Sequence, residues 1–125
     1  MVITMRERIE QLKKEKDIVI LAHYYVDGEV QEIADLVGDS YFLAKKATEV
    51  SQQNILFCGV SFMGESAKIL NPGKRVIMAD EFADCPMAHM VDIAKIQQVR
   101  EQYPDGFCQF DGRDQGIFGR MCNIL

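Results

Sequence analysis

Two apolar rhythms divide this chain. Met5, Ile9 and Leu12 recur at helical spacing, and Thr4 and Glu7 stand at the spacing of a capping box, so a helix is predicted here, closed by Lys13 to Asp17. "DIVILAH" then reads as a buried strand. "EVQEIADLVG" returns to helical spacing at Val30, Ile33, Ala34 and Val37 and is read as one helix stopped by Gly38. In "DSYFLAKKATEV", Asp39 or Ser40 caps another helix that turns Leu43, Ala44 and Ala47 inward. "NILFCGV" is a second strand, "FMGESAKIL" a short helix, "NPGK" a turn and "RVIMA" a third strand. After a loop around Cys85, Ile93, Ile96, Val99 and Tyr103 mark a last helix, which Pro104 ends.

Strands that alternate with helices predict βαβ units. The expected fold class is therefore α/β, a three-layer sandwich with a mostly parallel sheet of three to four strands. In such sheets ligands sit outside the carboxyl ends of the strands. "HYY" follows the first strand, "SFMGES" the second and "DEFADCPMAH" the third, so the stretches richest in unusual side chains are expected along one rim. No repeat, low-complexity tract or linker interrupts the pattern, which predicts one structural unit.

Composition narrows the function classes. A chain of 125 residues with 48% hydrophobic content can bury a real core. Acidic residues outnumber basic ones by 19 to 14 and no basic stripe is present, which argues against nucleic acid as a partner. The longest apolar runs, "IVILA" and "ILFCGV", are strand-sized, so no membrane span is expected. The N-terminal stretch "MVITMRERIEQ" turns charged too early for a signal peptide. A cytoplasmic protein is expected, with Cys58, Cys85, Cys108 and Cys122 as reduced thiols or ligands and not as disulfides.

The candidate residues each carry a bland reading beside a sharp one. His23 ends an apolar strand, as either a hydrogen-bonded rim residue or a catalyst. Tyr24 and Tyr25 fall on opposite faces if the strand continues. Gly38-Asp39-Ser40 is a plain N-cap, or an anion site made by free backbone N–H groups and the helix dipole. Cys58, inside a strand, reads as a small core residue. Cys85 lies in a loop before a proline, where a structural thiol and a thiolate ligand remain open. His89 would join it as C-x₃-H, which alone is two ligands short of a closed zinc site. P-loop, G-x-G-x-x-G and serine-elbow motifs are absent. Unaided, these residues support a stand-alone α/β domain that binds a small anion or a metal at its rim.

Three stretches add a more specific indication. "ILAHYYVDGEVQEIADLVGDSYFLAKKA", "ILFCGVSFMGESAKILNPGKRVIMAD" and "DCPMAHM" resemble the first domain of the quinolinate synthase family, the A protein of de novo NAD synthesis. The resemblance runs from about residue 8 to residue 105, with separate motifs in order and at matching gaps. It implies a transferase that condenses iminoaspartate with dihydroxyacetone phosphate to quinolinate, phosphate and water, fed upstream by an L-aspartate oxidase or aspartate dehydrogenase. It further implies three similar α/β domains, each giving one cysteine to a [4Fe-4S] cluster whose remaining iron acts as a Lewis acid. By that resemblance Cys85 matches the first-domain cluster ligand. His23 and Ser40 match residues that bind iminoaspartate, and Tyr25 matches a tyrosine assigned to proton transfer. Phe62 and Met63 match rim residues near the cluster.

The resemblance divides the chain into residues 1–105, a first domain of quinolinate synthase type, and a tail, 106–125, that does not fit the family. The tail "GFCQFDGRDQGIFGRMCNIL" has neither strand alternation nor a helical period. The family pattern leads one to expect Y-V-N-S-T-A-E-x-K-A and then S-D-V-C-x-T-S in this region. Back-translated with free synonymous choices and read from the second base of each codon, Phe107 to Leu125 permits F-V-S-S-M-A-E-T-K-A-Y-S-D-V-C-V-T-S. The tail is accordingly expected to be out of frame, with Cys108 and Cys122 accidental. The chain is expected to be a truncated and inactive form of the enzyme. A genuine tail that mediates oligomerisation is the weaker alternative.

Overall fold

The computed structural model describes residues 2–90 and 92–104. Its elements run α1 (Met5–Glu15), β1 (Ile18–His23), α2 (Gly28–Ile33), β2 (Leu36–Gly38), α3 (Ser40–Glu49), β3 (Asn54–Cys58), α4 (Ser61–Leu70), β4 (Arg75–Met78), a 3₁₀ turn (Pro86–His89) and α5 (Ile93–Gln102). The four strands form one sheet in the order β2-β1-β3-β4, and every pairing is parallel. This is the α/β architecture expected, with the upper strand number.

Period-two alternation in β1 and β3 builds the three layers. Val19, Leu21, Ile55 and Phe57 point to one face, where Leu43 and Ala47 of α3 and Phe62, Met63 and Ala67 of α4 close over them. Ile20, Ala22 and Cys58 point to the other face, against Ile9 of α1 and Val30 of α2. Phe57, Leu21, Leu43 and Ile55 are sealed from solvent. Each such side chain contributes about 1.5–3 kcal/mol of burial free energy, so the first face carries most of the stability.

Local chemistry fixes the element ends. Thr4 Oγ1 accepts from Glu7 N at 3.2 Å and Glu7 Oε2 accepts from Thr4 N at 2.8 Å, completing the capping box. Asp17, at φ 52°, ends the α1 turn in the left-handed region that aspartate tolerates. Its carboxylate accepts from Gln53 N at 2.9 Å, which ties this turn to the start of β3. Lys74 Nζ donates to the Ala47 and Val50 carbonyls at the C-terminal end of α3, where a cation is favourable.

The structure departs from the periodicity at three places. The helix expected through Gly38 stops at Ile33, and Leu36–Gly38 instead pairs with β1 as an edge strand. β1 offers an unpaired edge there, and satisfying its backbone groups outweighs the weak helical preference of a short valine-containing stretch. Asp35 starts the ladder: its N–H donates to Ile20 O at 2.9 Å and its Oδ2 accepts from Ile20 N at 2.8 Å. Met5 stays 79% exposed instead of joining Ile9 and Leu12. In α5 only Ile96 is buried; Ile93 and Tyr103 lie open. The expected tail, residues 106–125, lies outside the described residues.

Candidate functional site

The parallel sheet puts the carboxyl ends of all four strands along one rim, and each candidate residue reaches it by a different route. His23 is the last residue of β1, opposite Gly38 of β2 in the ladder. Ser40 follows Gly38 by two residues as the first residue of α3. The backbone therefore brings these two onto neighbouring strand ends. Beyond β4, Ser61 N at the start of α4 donates to Ala83 O at 3.0 Å, anchoring the loop that carries Cys85 beside the end of β3. Cys85 is half-buried and packs against the core face that α3 and α4 cover.

His23 is held by one hydrogen bond and two ring contacts. Its Nδ1 accepts from the Tyr25 N–H at 3.1 Å. Its ring stacks on Tyr24 at 4.6 Å between centroids and tilts against Tyr25 at 4.7 Å. Strand β1 ends at His23, so Tyr24 and Tyr25 do not alternate across the sheet. The chain turns, with Val26 N donating to His23 O at 3.1 Å, and all three rings gather at one corner. Burial holds the His23 imidazole below its ordinary value, while the Asp39 carboxylate pulls in the other direction. Gly59 sits alongside: a Cβ added there would lie 3.5 Å from His23 Cβ and 3.2 Å from Met63 Sδ. The bare backbone at Gly59 leaves the imidazole room at the strand end.

The start of α3 is a cap and a donor site at once. Asp39 Oδ1 accepts from Phe42 N at 2.7 Å, and Asp39 O accepts from Leu43 N at 3.0 Å. The N–H groups of Ser40 and Tyr41 and the Ser40 hydroxyl have no acceptor among the described residues, so they remain for a ligand. The Asp39 charge weakens this end's pull on a free anion and adds a negative neighbour for His23. Sequence spacing marked Asp39 only as a cap; its second role arises because β2 pairs with β1.

The Cys85 loop is held by its own neighbour. Asp84 Oδ1 accepts from Cys85 N at 2.8 Å, and Asp84 Oδ2 lies 2.7 Å from His89 Nε2. Those contacts hold the Asp84 carboxyl below its ordinary value. His89 thus pairs with Asp84, and no group of three His, Cys, Asp or Glu side chains among the described residues is arranged to hold a metal ion. Cys58 is buried and its thiol is pushed up by that burial, in line with an inert core role. Phe62 and Met63, expected at the rim, are 5% and 4% exposed and form part of the core beneath it. Tyr25 is 81% exposed at the rim.

A shallow depression of about 390 Å³ lies at the opposite end of the sheet, between Glu10, Lys13, Asp17, Asp35 and Gln52. Lys13 there bonds Asp35 at 2.7 Å and Glu10 at 3.1 Å, so its charge is spent on structure.

A family model for the quinolinate synthetase A protein matches residues 7–108. The chain belongs to this family. Among quinolinate synthetase A relatives, the quinolinate synthase of Fusobacterium nucleatum is 64% identical over 101 residues, covering 81% of this chain and 34% of that protein. The quinolinate synthase of Chlorobaculum parvum is 56% identical over 99 residues, covering 79% of this chain and 31% of its own length. That of Methanocaldococcus jannaschii is 55% identical over 100 residues, covering 79% and 33%. The chain thus spans about a third of the length of the curated relatives it matches. His23, Tyr25, Ser40 and Cys85 all fall inside the matched quinolinate synthetase A segment. Among the described residues, no helix is long and apolar enough to cross a membrane.

Proposed function

We propose that this domain forms one wall of the active site of a quinolinate synthase, which condenses iminoaspartate with dihydroxyacetone phosphate to quinolinate, phosphate and water in cytoplasmic NAD biosynthesis. The observation that carries the reading is the family match together with His23, Ser40 and the Cys85 loop at the carboxyl ends of one parallel sheet. In this reading the Ser40 hydroxyl and the free N–H groups of α3 donate to a carboxylate of iminoaspartate, and His23 holds the same dicarboxylate from the neighbouring strand. The Tyr25 phenol, exposed beside His23, moves a proton at the substrate.

Cys85 would hold one corner of a [4Fe-4S] cluster, which when bound supplies Lewis-acid chemistry at an iron that no cysteine ligates. The residues present fit that group in part: Cys85 is a free, half-buried thiol in a loop fixed at Ala83 and Asp84. Among the described residues, no group of three His, Cys, Asp or Glu side chains is arranged around it to hold a metal ion. The remaining thiolates come, in this reading, from parts of the protein beyond this domain, and an L-aspartate oxidase or aspartate dehydrogenase supplies the iminoaspartate. The tail from residue 106 is read as out of frame.

A chimera tests the assignment. Residues 7–104 replace the matching segment of the Fusobacterium nucleatum quinolinate synthase, and the product is reconstituted anaerobically. The expected result is a cluster and quinolinate formation, both lost on Cys85→Ala. Undiminished turnover by the Cys85→Ala chimera refutes the ligand assignment. A polypeptide of these 125 residues alone is expected to keep no cluster through desalting, since one thiolate does not anchor it.

A further inference from the structure

The functional reading leaves open how His23 meets its ligand: as a cation, as a base, or as a neutral donor. These differ chemically. A cation forms an ion pair with a carboxylate, a base accepts a proton at Nε2, and a neutral donor offers Nε2–H to an oxygen.

The backbone decides among them. The Tyr25 N–H donates to His23 Nδ1 at 3.1 Å. A nitrogen that accepts a hydrogen bond carries no proton, so the neutral ring places its proton on Nε2. Protonating Nδ1 would turn that acceptor into a second donor facing the Tyr25 N–H, which loses the bond and sets two donors against each other. The turn that creates this contact is closed by its own bond from Val26 N to His23 O, and the ring contacts both Tyr24 and Tyr25. Rotating the imidazole to swap its nitrogens would require both aromatic contacts to reform. Nε2 itself has no hydrogen-bond partner among the described residues. It is also not sealed in, because no buried side-chain nitrogen or oxygen of the described residues lacks a partner. Nε2 is therefore reachable from solvent.

We propose that the backbone amide of Tyr25 presets His23 as the Nε2–H tautomer, so that His23 binds a ligand oxygen as a neutral hydrogen-bond donor and serves neither as a cation nor as a base at Nε2. The proposal rests on the reading of His23 as a dicarboxylate-binding residue. It gives Tyr25 two separable duties: its phenol acts at the substrate and its amide positions the imidazole. Burial of the ring works in the same direction by disfavouring the imidazolium, while Asp39 at the start of α3 works against it. The other titratable groups of this corner are the phenols of Tyr24 and Tyr25, on the turn itself, and the Cys58 thiol at the end of β3.

The experiment is long-range ¹H–¹⁵N correlation of the ring nitrogens in the 125-residue chain, labelled at histidine, near neutral pH. The chain has 2 histidines, so His89→Gln leaves the His23 signals alone. A protonated, pyrrole-type Nε2 with an unprotonated, pyridine-type Nδ1 is expected, and Tyr25→Phe, which keeps the amide, is expected to leave this pattern intact. An Nδ1–H ring, a fast average of the two tautomers, or an imidazolium overturns the proposal. Succinate, a four-carbon dicarboxylate, is then added as the probe. The Nε2 signal should move while the ring stays neutral, and conversion to imidazolium on binding also overturns it. His23→Gln, which keeps a donor near the Nε2 position, should bind succinate within about threefold of the native chain, whereas His23→Asn should bind about tenfold more weakly. The reverse order counts against a donor at Nε2. If succinate moves neither nitrogen signal, the dicarboxylate reading of this rim is wrong, while the tautomer assignment still stands on the native spectrum.

Discussion

Asp35→Ala should loosen the edge of the sheet that carries the ligand-binding corner. The Asp35 carboxylate does two things: Oδ2 accepts from the half-buried Ile20 N–H at 2.8 Å, and Oδ1 pairs with Lys13 Nζ at 2.7 Å. Removing it leaves the Ile20 N–H without a partner in a strand whose side chain is 2% exposed, a cost of about 1–3 kcal/mol. The ion pair adds less. Asp35 is 35% exposed and Lys13 keeps Glu10 at 3.1 Å, so its loss costs at most about 1 kcal/mol after solvent screening. The sum is about 1–4 kcal/mol, which lowers Tm by at least about 4 °C in a domain of this size. Asp35→Asn separates the two contributions: its amide oxygen still accepts from Ile20, so only the smaller, charge-related loss remains. Lys13→Met should resemble Asp35→Asn, and the double variant should show coupling of about 0.5–1 kcal/mol. Urea and thermal unfolding followed by circular dichroism measure all four proteins. Equal losses for the alanine and asparagine variants would refute the argument, because they would show that the Ile20 bond contributes nothing. The consequence for function follows from position. Leu36–Gly38 pairs with β1 directly after Asp35, so Asp35→Ala should also weaken dicarboxylate binding by displacing Ser40 from His23.

Further outcomes are expected around the same corner. Asp39→Asn keeps the cap, since asparagine caps as well as aspartate, and should change stability by only a few tenths of a kcal/mol. It removes the charge that raises the His23 pKa, so NMR titration should find the imidazole titrating still further below its ordinary value of 6.5. Because burial places the folded value below the unfolded one, the unfolded chain binds more protons between them. The resulting stability is fully present above about pH 6.5 and is lost as pH falls through the folded value, which unfolding free energies measured across that window would check. Gly38→Ala places a Cβ 2.2 Å from Phe42 Cδ1, so the ring must swing outward. The expected loss is about 1–2 kcal/mol in denaturant unfolding, with weaker ligand binding at Ser40. In the coding DNA from Phe107 onward, the frame read from the second base should spell phenylalanine–valine followed by asparagine or serine, and further on S-D-V-C-x-T-S, and an unrelated reading would remove the frameshift argument.

What the sequence alone determined is what depends on near neighbours. The unbroken, strand-sized apolar runs "IVILA" and "ILFCGV" specified buried strands, because a strand whose two faces each meet an apolar layer is apolar at every position. Thr4 with Glu7, and Asp39 before α3, specified helix starts, because a cap bonds N–H groups within a single turn. Alternation of strands and helices then implied parallel pairing, and with it the end of the sheet where His23, Ser40 and Cys85 lie. Tertiary structure decided the rest. Leu36–Gly38 is a strand only because β1 has an edge to satisfy, and nothing within those three residues announces it. Phe62 and Met63 lie under the rim and not on it, because α4 turns its first residues into the core that Phe57 and Leu43 define. The tautomer of His23 depends on where the chain turns after β1, and the charge near it depends on a residue brought in by strand pairing. Patterns along a chain record which side of an element faces water. Which polar group faces which other is settled only when elements distant in sequence are packed together.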